Sequence, residues 1–291
     1  KFQKGFSVIL VVIFIVVLAV LVLGGIYYFS EIYQPQQYAK EAVPIVSEIG
    51  KQVIQSPSNI NQKDYKDALY TLVKRQAILD GARDRLSKFK PVPRKMKQFN
   101  EDVRWGLEYF LAANAEAQGK AAFLADLLEI YLIFKPEKSP FDVSTALVRD
   151  YQNYYEEHVP RAKNLGSLIF GREEVSLEGV TFNQLKNSWQ EVEVGLDLIL
   201  KNILAQDPNQ PLSGYASVPP TSSQQGATEK LIDFGRLTDE AFSKNTASDI
   251  LSYRHYTGAS KEELNERSQR IEATLEELKK RYSIHIPTLI P

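Results

Sequence analysis

A chain of 291 residues with 44% hydrophobic and 24% charged side chains is too apolar to be a fully disordered protein. Its 35 basic and 36 acidic residues leave a net charge of -1, which excludes the global charge excess of a non-specific nucleic-acid binder. The absence of cysteine excludes a disulfide framework, a thiolate metal site, a Cys nucleophile and a lipid-modified cysteine.

The first element is a membrane helix. No charge interrupts the run from Gly5 to Ser30, and Val8 to Leu23 is apolar at nearly every position. At 1.5 Å per residue this run is a helix of roughly 39 Å, enough to cross a hydrocarbon core of about 30 Å with some tilt. Tyr27, Tyr28 and Phe29 follow as an aromatic belt at the far interface. Lys1 and Lys4 flank the near side and Glu31 the far side. The positive-inside rule then places the N-terminus in the cytoplasm and everything after Ser30 outside the plasma membrane. A cleaved secretory signal fits less well, because the apolar run exceeds the usual h-region and no small-x-small cleavage site follows. The expected lipid contact covers residues 6–29.

Gly5, Phe6 and Ser7 ahead of an apolar helix resemble the processing site of type IV prepilins. That resemblance implies cleavage between Gly5 and Phe6 and packing of the helix in a filament. It covers about a tenth of the chain. The position five residues after the cut, where the family has glutamate, is Leu10. The family's β-rich head also has no counterpart in the segments that follow, which are helical in pattern.

Beyond the anchor, prolines divide one helix from the next. Glu31 to Gln55 places Val43, Val46, Ile49 and Val53 on one face, with kinks expected at Pro35 and Pro44. Ser56–Asn59 breaks it. Tyr65, Leu69, Leu72, Gln76, Leu79, Arg83 and Leu86 then step by four and three, a helical stripe that Pro91 and Pro93 end. From Arg94 to Phe134 there is no proline, and small residues between Ala112 and Ala122 let neighbouring helices approach closely, so this segment is the expected spine of a bundle.

Ser139 and Pro140 are the expected start of a fourth outer helix, which holds Leu147, Tyr151, Tyr154 and Tyr155 and bends at Pro160. Thr181 caps a fifth, with Leu185, Trp189, Val192, Leu196, Ile199 and Ile203 in phase. Asp207 to Ala227 reads as a long loop. A helix from Thr228 to about Tyr256 and a last one capped by Ser260 and Glu263 close the chain. The expected fold is all-α: one transmembrane helix and an extracytoplasmic bundle of about six to seven helices. Its expected parts are the anchor 1–30, a main bundle 31–206, the loop 207–227 and a C-terminal pair 228–291.

Catalytic patterns are sparse. His158, His255 and His285 form no helical metal pair, and Glu156-Glu157-His158 reads as a solvated polar face. No phosphate-binding glycine loop and no G-x-S-x-G elbow occurs. No cofactor, metal ligand or sequence-specific nucleic-acid contact is expected. The one charged cluster is basic: Arg83, Arg85, Lys88, Lys90, Arg94, Lys95 and Lys97, around the Pro91–Pro93 turn. Such a corner suits an anionic polymer or lipid head groups, although charge runs are commonly solvent faces. The tyrosine-rich helix suits a protein or glycan partner. The reading is a membrane-anchored binding or structural module of the cell envelope. The alternatives are a pilin-like subunit and a helical envelope enzyme without a recognisable motif.

Overall fold

The computed structural model describes residues 17–54, 61–89, 91–135, 146–211, 222–254, 256, 258 and 260–282. Among these the chain is all-α, with one isolated bridge, Leu147 to Pro211, outside the helices. The helices are α1 (residues 17–28), α2 (Gln34–Ile54), α3 (Tyr65–Ser87), α4 (Lys97–Phe134), α5 (Val148–Phe170), α6 (Phe182–Leu204), α7 (Ser222–Lys244), α8 (Ala247–Leu251) and α9 (Lys261–Tyr282).

The helical run Val17–Gln52 is long and apolar enough to cross a membrane, and its most apolar stretch is not buried anywhere in the protein. Between α1 and α2 lies a π-turn, Phe29–Tyr33, closed by Gln34 N–H donating to the Phe29 carbonyl. It sits immediately ahead of Pro35, which has no N–H to donate and whose ring would crowd the Glu31 carbonyl, so the helix widens there instead of breaking. Pro44 lies inside α2 and Pro160 inside α5, and both helices continue through them.

The chain forms two compact units. The first comprises residues 1–55, 75–113 and 257–291, the second 56–74 and 114–256. The first core gathers Tyr38, Val43 and Ile49 of α2, Leu79 and Leu86 of α3, Phe99, Val103 and Leu107 of α4, and Leu275, Leu278 and Tyr282 of α9. The second gathers Tyr65 and Leu72 of α3, Leu124, Leu127 and Ile130 of α4, Trp189 of α6 and Phe234 of α7. This differs from the expected division. The C-terminal pair 228–291 parts, with α7 packing along α6 in the second unit and α9 on α2 in the first.

The α3 seam also differs in detail. Tyr65, Leu72, Leu79 and Leu86 are buried as the stripe requires, but their buried companions are Ala68, Arg75 and Ala82, one residue before the expected Leu69, Gln76 and Arg83. Ala68 and Ala82 leave room for a neighbouring helix to come close, so their face turns inward.

Helix starts follow local chemistry. Thr181 Oγ1 accepts from Gln184 N–H while Gln184 Oε1 accepts from Thr181 N–H, a reciprocal cap for α6. α5 begins at Val148; the expected start, Ser139 and Pro140, lies outside the described residues. Its exposed N–H groups are met by the chain after α6, with Val148 and Arg149 donating to the carbonyls of Gln210 and Pro208. The expected loop ends early, since α7 is helical from Ser222; residues 212–221 of that loop lie outside the described residues. The expected single helix 228–256 is broken after Lys244. Buried Asn245 donates to the Ala241 and Glu178 carbonyls and accepts from Glu178 N–H, and Thr246 then caps α8 by accepting from Asp249 N–H.

Candidate functional site

The seven basic residues divide into paired and unpaired groups. Arg83 donates to Asp80 at 2.7 Å, Arg85 to Glu48, and Lys95 pairs with Glu31. Lys88, Arg94 and Lys97 are exposed and have no carboxylate within 4.0 Å among the described residues, while Lys90 lies outside them. The corner is therefore partly neutralised, with its cations divided between pinning helices and facing solvent.

Its position in the fold is set by α2. The 3-10 turn Arg94–Met96 packs on α2, Met96 is buried in the first core, and Ile32, Phe89 and Val92 pack against that core. Lys95 meets Glu31, the first charged residue after the apolar run. Flanking Glu31 along the chain, Tyr27, Tyr28, Phe29 and Tyr33 are 61%, 55%, 52% and 42% exposed. The turn at Pro91–Pro93 thus lies beside the end of the long apolar helix. Gly5 and Phe6, the expected processing site, lie outside the described residues.

The first unit also holds an ionic clamp that sequence reading did not find. Asp102 is buried on α4 and accepts from Arg270 Nε and Nη2 at 2.9 Å each, from Arg267 Nη1 at 3.0 Å and from Gln98 at 3.2 Å. The Arg270 bond holds the Asp102 carboxyl below its ordinary value against the opposing effect of burial. Arg267 also lies over the Trp105 ring at 4.6 Å. These partners are 165 and 168 residues apart, and no local pattern links them.

In the second unit, polar interiors likewise serve packing. Asn114 donates to the Leu72 carbonyl and accepts from Tyr253. Gln152 donates to the Ile203 and Gln206 carbonyls at the end of α6. Tyr131 donates to Asp239 at 2.6 Å, Lys135 donates to the same carboxylate at 3.0 Å, and Lys63 lies over the rings of Tyr131 and Phe242. Burial and the bond to Asp239 push the Tyr131 hydroxyl up. Burial pushes Asp239 up, but donation by Tyr131 and Lys135 outweighs it and holds the carboxyl below its ordinary value. Asp239 thus joins Tyr131 and Lys135 through two donated hydrogen bonds. Lys120 is 5% exposed, with Glu116 at 3.9 Å as its nearest carboxylate, and burial pushes its ammonium below the ordinary lysine value.

The tyrosine-rich face of α5 is packed. Tyr151, Tyr154 and Tyr155 are half-buried, Tyr154 donates to the Ile133 carbonyl, and its ring stacks on His158 at 4.1 Å. His158 Nδ1 is 2.8 Å from the Tyr154 carbonyl, so that nitrogen carries the proton; Glu156 and Glu157 are exposed. His255 and His285 lie outside the described residues, and among the described residues no group of three or more acidic or His side chains is placed to hold a metal. A groove of about 880 Å³ runs over α4, α5 and α6, floored by residues such as Val159, Leu165 and Leu200. At its rim Arg161 pairs with Glu129 and Lys163 with Asp197.

No protein family, curated protein or solved structure matches the chain.

Proposed function

We propose that this chain is a single-pass membrane protein whose helical part stands on the extracytoplasmic side and serves a binding or structural role in the cell envelope. One observation carries the reading: Val17, Leu18, Val20, Leu21, Val22, Leu23 and Ile26 are each half or more exposed on a helix long enough to span a bilayer. Water is a poor solvent for such a rod, since each of these side chains gains about 1.5–3 kcal/mol when fully buried. Lipid removes that cost while the helix satisfies its own backbone. Lys1 and Lys4 on the near flank support a cytoplasmic N-terminus. The binding or structural role is supported by the use of Asp102, Asn114, Gln152 and Asn245 to join helices instead of lining a cavity.

The natural sequence has no cysteine, so one introduced thiol reports topology. Asn265→Cys, on an exposed position of α9, is expected to react with a membrane-impermeant maleimide in intact cells, and the chain to resist alkaline extraction from membranes. Labelling only after lysis would reverse the orientation; release by alkali would remove the anchor. A pilin-like subunit would share the exposed apolar helix. Mass spectrometry of the mature N-terminus separates the two, because a pilin-like chain begins at Phe6.

A further inference from the structure

We infer that the anchor-side end of the first unit is a docking surface for anionic phospholipid head groups, in the leaflet from which the membrane helix emerges. The inference rests on the membrane reading above and adds a lipid class and the residues that select it. Lys95 pairs with Glu31, which fixes the α3–α4 corner at the depth of the first charge beyond the apolar run. The corner cations have long stems that extend several ångströms toward a charged surface. Exposed Tyr27, Tyr28, Phe29 and Tyr33 mark that depth as an interface, where amphipathic rings settle.

A second basic group arrives there from far along the chain. Arg267 contacts both Trp105 and Asp102, and Arg270 contacts Asp102, so α9 runs antiparallel to α4. Ten more residues at 1.5 Å each carry α9 about 15 Å further, past the level of the α4 start. Its last turn holds Lys279, Lys280 and Arg281, and Tyr282 is buried in the same core as Met96. Lys279 has Glu276 at 3.9 Å and Arg281 has Glu277 at 3.4 Å. Lys280 is exposed and, like Lys88, Arg94 and Lys97, has no carboxylate within 4.0 Å among the described residues. Four cations without a carboxylate partner among the described residues are therefore carried by the α3–α4 corner and the end of α9, both in the unit from which the apolar helix extends. Phosphate esters of anionic lipids supply the missing charge and also lie where the anchor leaves the bilayer.

The test uses the full chain in nanodiscs of phosphatidylcholine alone or with phosphatidylglycerol. In the anionic discs, amide exchange across Lys88–Lys97 and the last turn of α9 is expected to slow by about fivefold or more, the effect of one basic side chain held at an anionic surface. Exchange is expected to return to the phosphatidylcholine rate in high salt. The combined variant Lys88→Gln, Arg94→Gln, Lys97→Gln and Lys280→Gln breaks no ion pair, so it is expected to lose the lipid dependence while α2 keeps its protection. Equal exchange in the two lipids, or a variant that retains the dependence, overturns the head-group surface while the anchor stands. A chain that does not stay in either disc overturns the membrane reading and this inference with it.

Discussion

Replacing Gly166 by alanine tests a close approach of α5 and α6 in the second unit. A Cβ at this position would stand 2.1 Å from Trp189 Nε1 and 2.2 Å from Cε2. That is about 1.5 Å inside the resting separation of non-bonded heavy atoms. The indole has no room to withdraw. It is 1% exposed, with the Phe170 ring at 6.4 Å on one side and Phe234 at 5.3 Å on another. Overpacking of a filled core costs about 3 kcal/mol, and alanine returns ~1 kcal/mol through helix propensity, so the net loss is about 2 kcal/mol. The measurement is amide exchange of α5 and α6 in the full chain in micelles, together with the thermal midpoint. Trp189→Phe removes the atoms that clash, so the double variant should lose at least about 1 kcal/mol less than the sum of the single losses. Unchanged or slower exchange in Gly166→Ala would refute the packing of α5 on α6, and additive losses would refute the assigned contact.

Asp102→Ala removes the acceptor for Arg267 and Arg270. Because both arginines keep access to water, the expected loss is about 2 kcal/mol and not that of a fully buried pair, read as faster exchange in α9 with little change in α6. In the natural protein this carboxyl is held below its ordinary value of 3.8, so its contribution is fully present above that pH and is lost as pH falls through the lowered value; a loss of α9 protection already at pH 6 would contradict the clamp. Lys120→Met replaces a buried ammonium with a similar apolar volume and should stabilise by about 1 kcal/mol at pH 7. Since the folded lysine binds its proton more weakly than the unfolded one, the natural protein regains that difference as pH rises toward 10.5, and the two unfolding midpoints should converge there. A constant gap across that range would mean that the gain is packing and not charge.

Much of the architecture was legible in the residues themselves. The apolar run gives, from Val17 onward, a helix long and apolar enough to cross a membrane, a length and composition carried by the residues themselves. Prolines near breaks, the Thr181 and Ser260 caps, and the apolar phases of α4, α6 and α9 are equally local, and those helices stand where the patterns place them. The break at Asn245 was missed although Thr246 and Asp249 form a cap signal, since the apolar phase runs on across it. Periodicity also marks which face is apolar but not how closely a neighbour approaches, and that decided Ala68, Arg75 and Ala82 over Leu69, Gln76 and Arg83 in the α3 seam.

The basic corner shows both sides of this limit. Its residue types are plain in the chain, but whether a cation is free depends on carboxylates that only folding brings near. Glu48 is 37 residues from Arg85, yet the two pair, while Lys88, with Asp84 four residues away, does not. The Asp102 clamp and the packing of α7 on α6 and of α9 on α2 are decided in the same way. Each depends on side chains far apart in sequence meeting at a few ångströms. Charge pairing and close packing depend on distance in space, and local pattern records only distance along the chain.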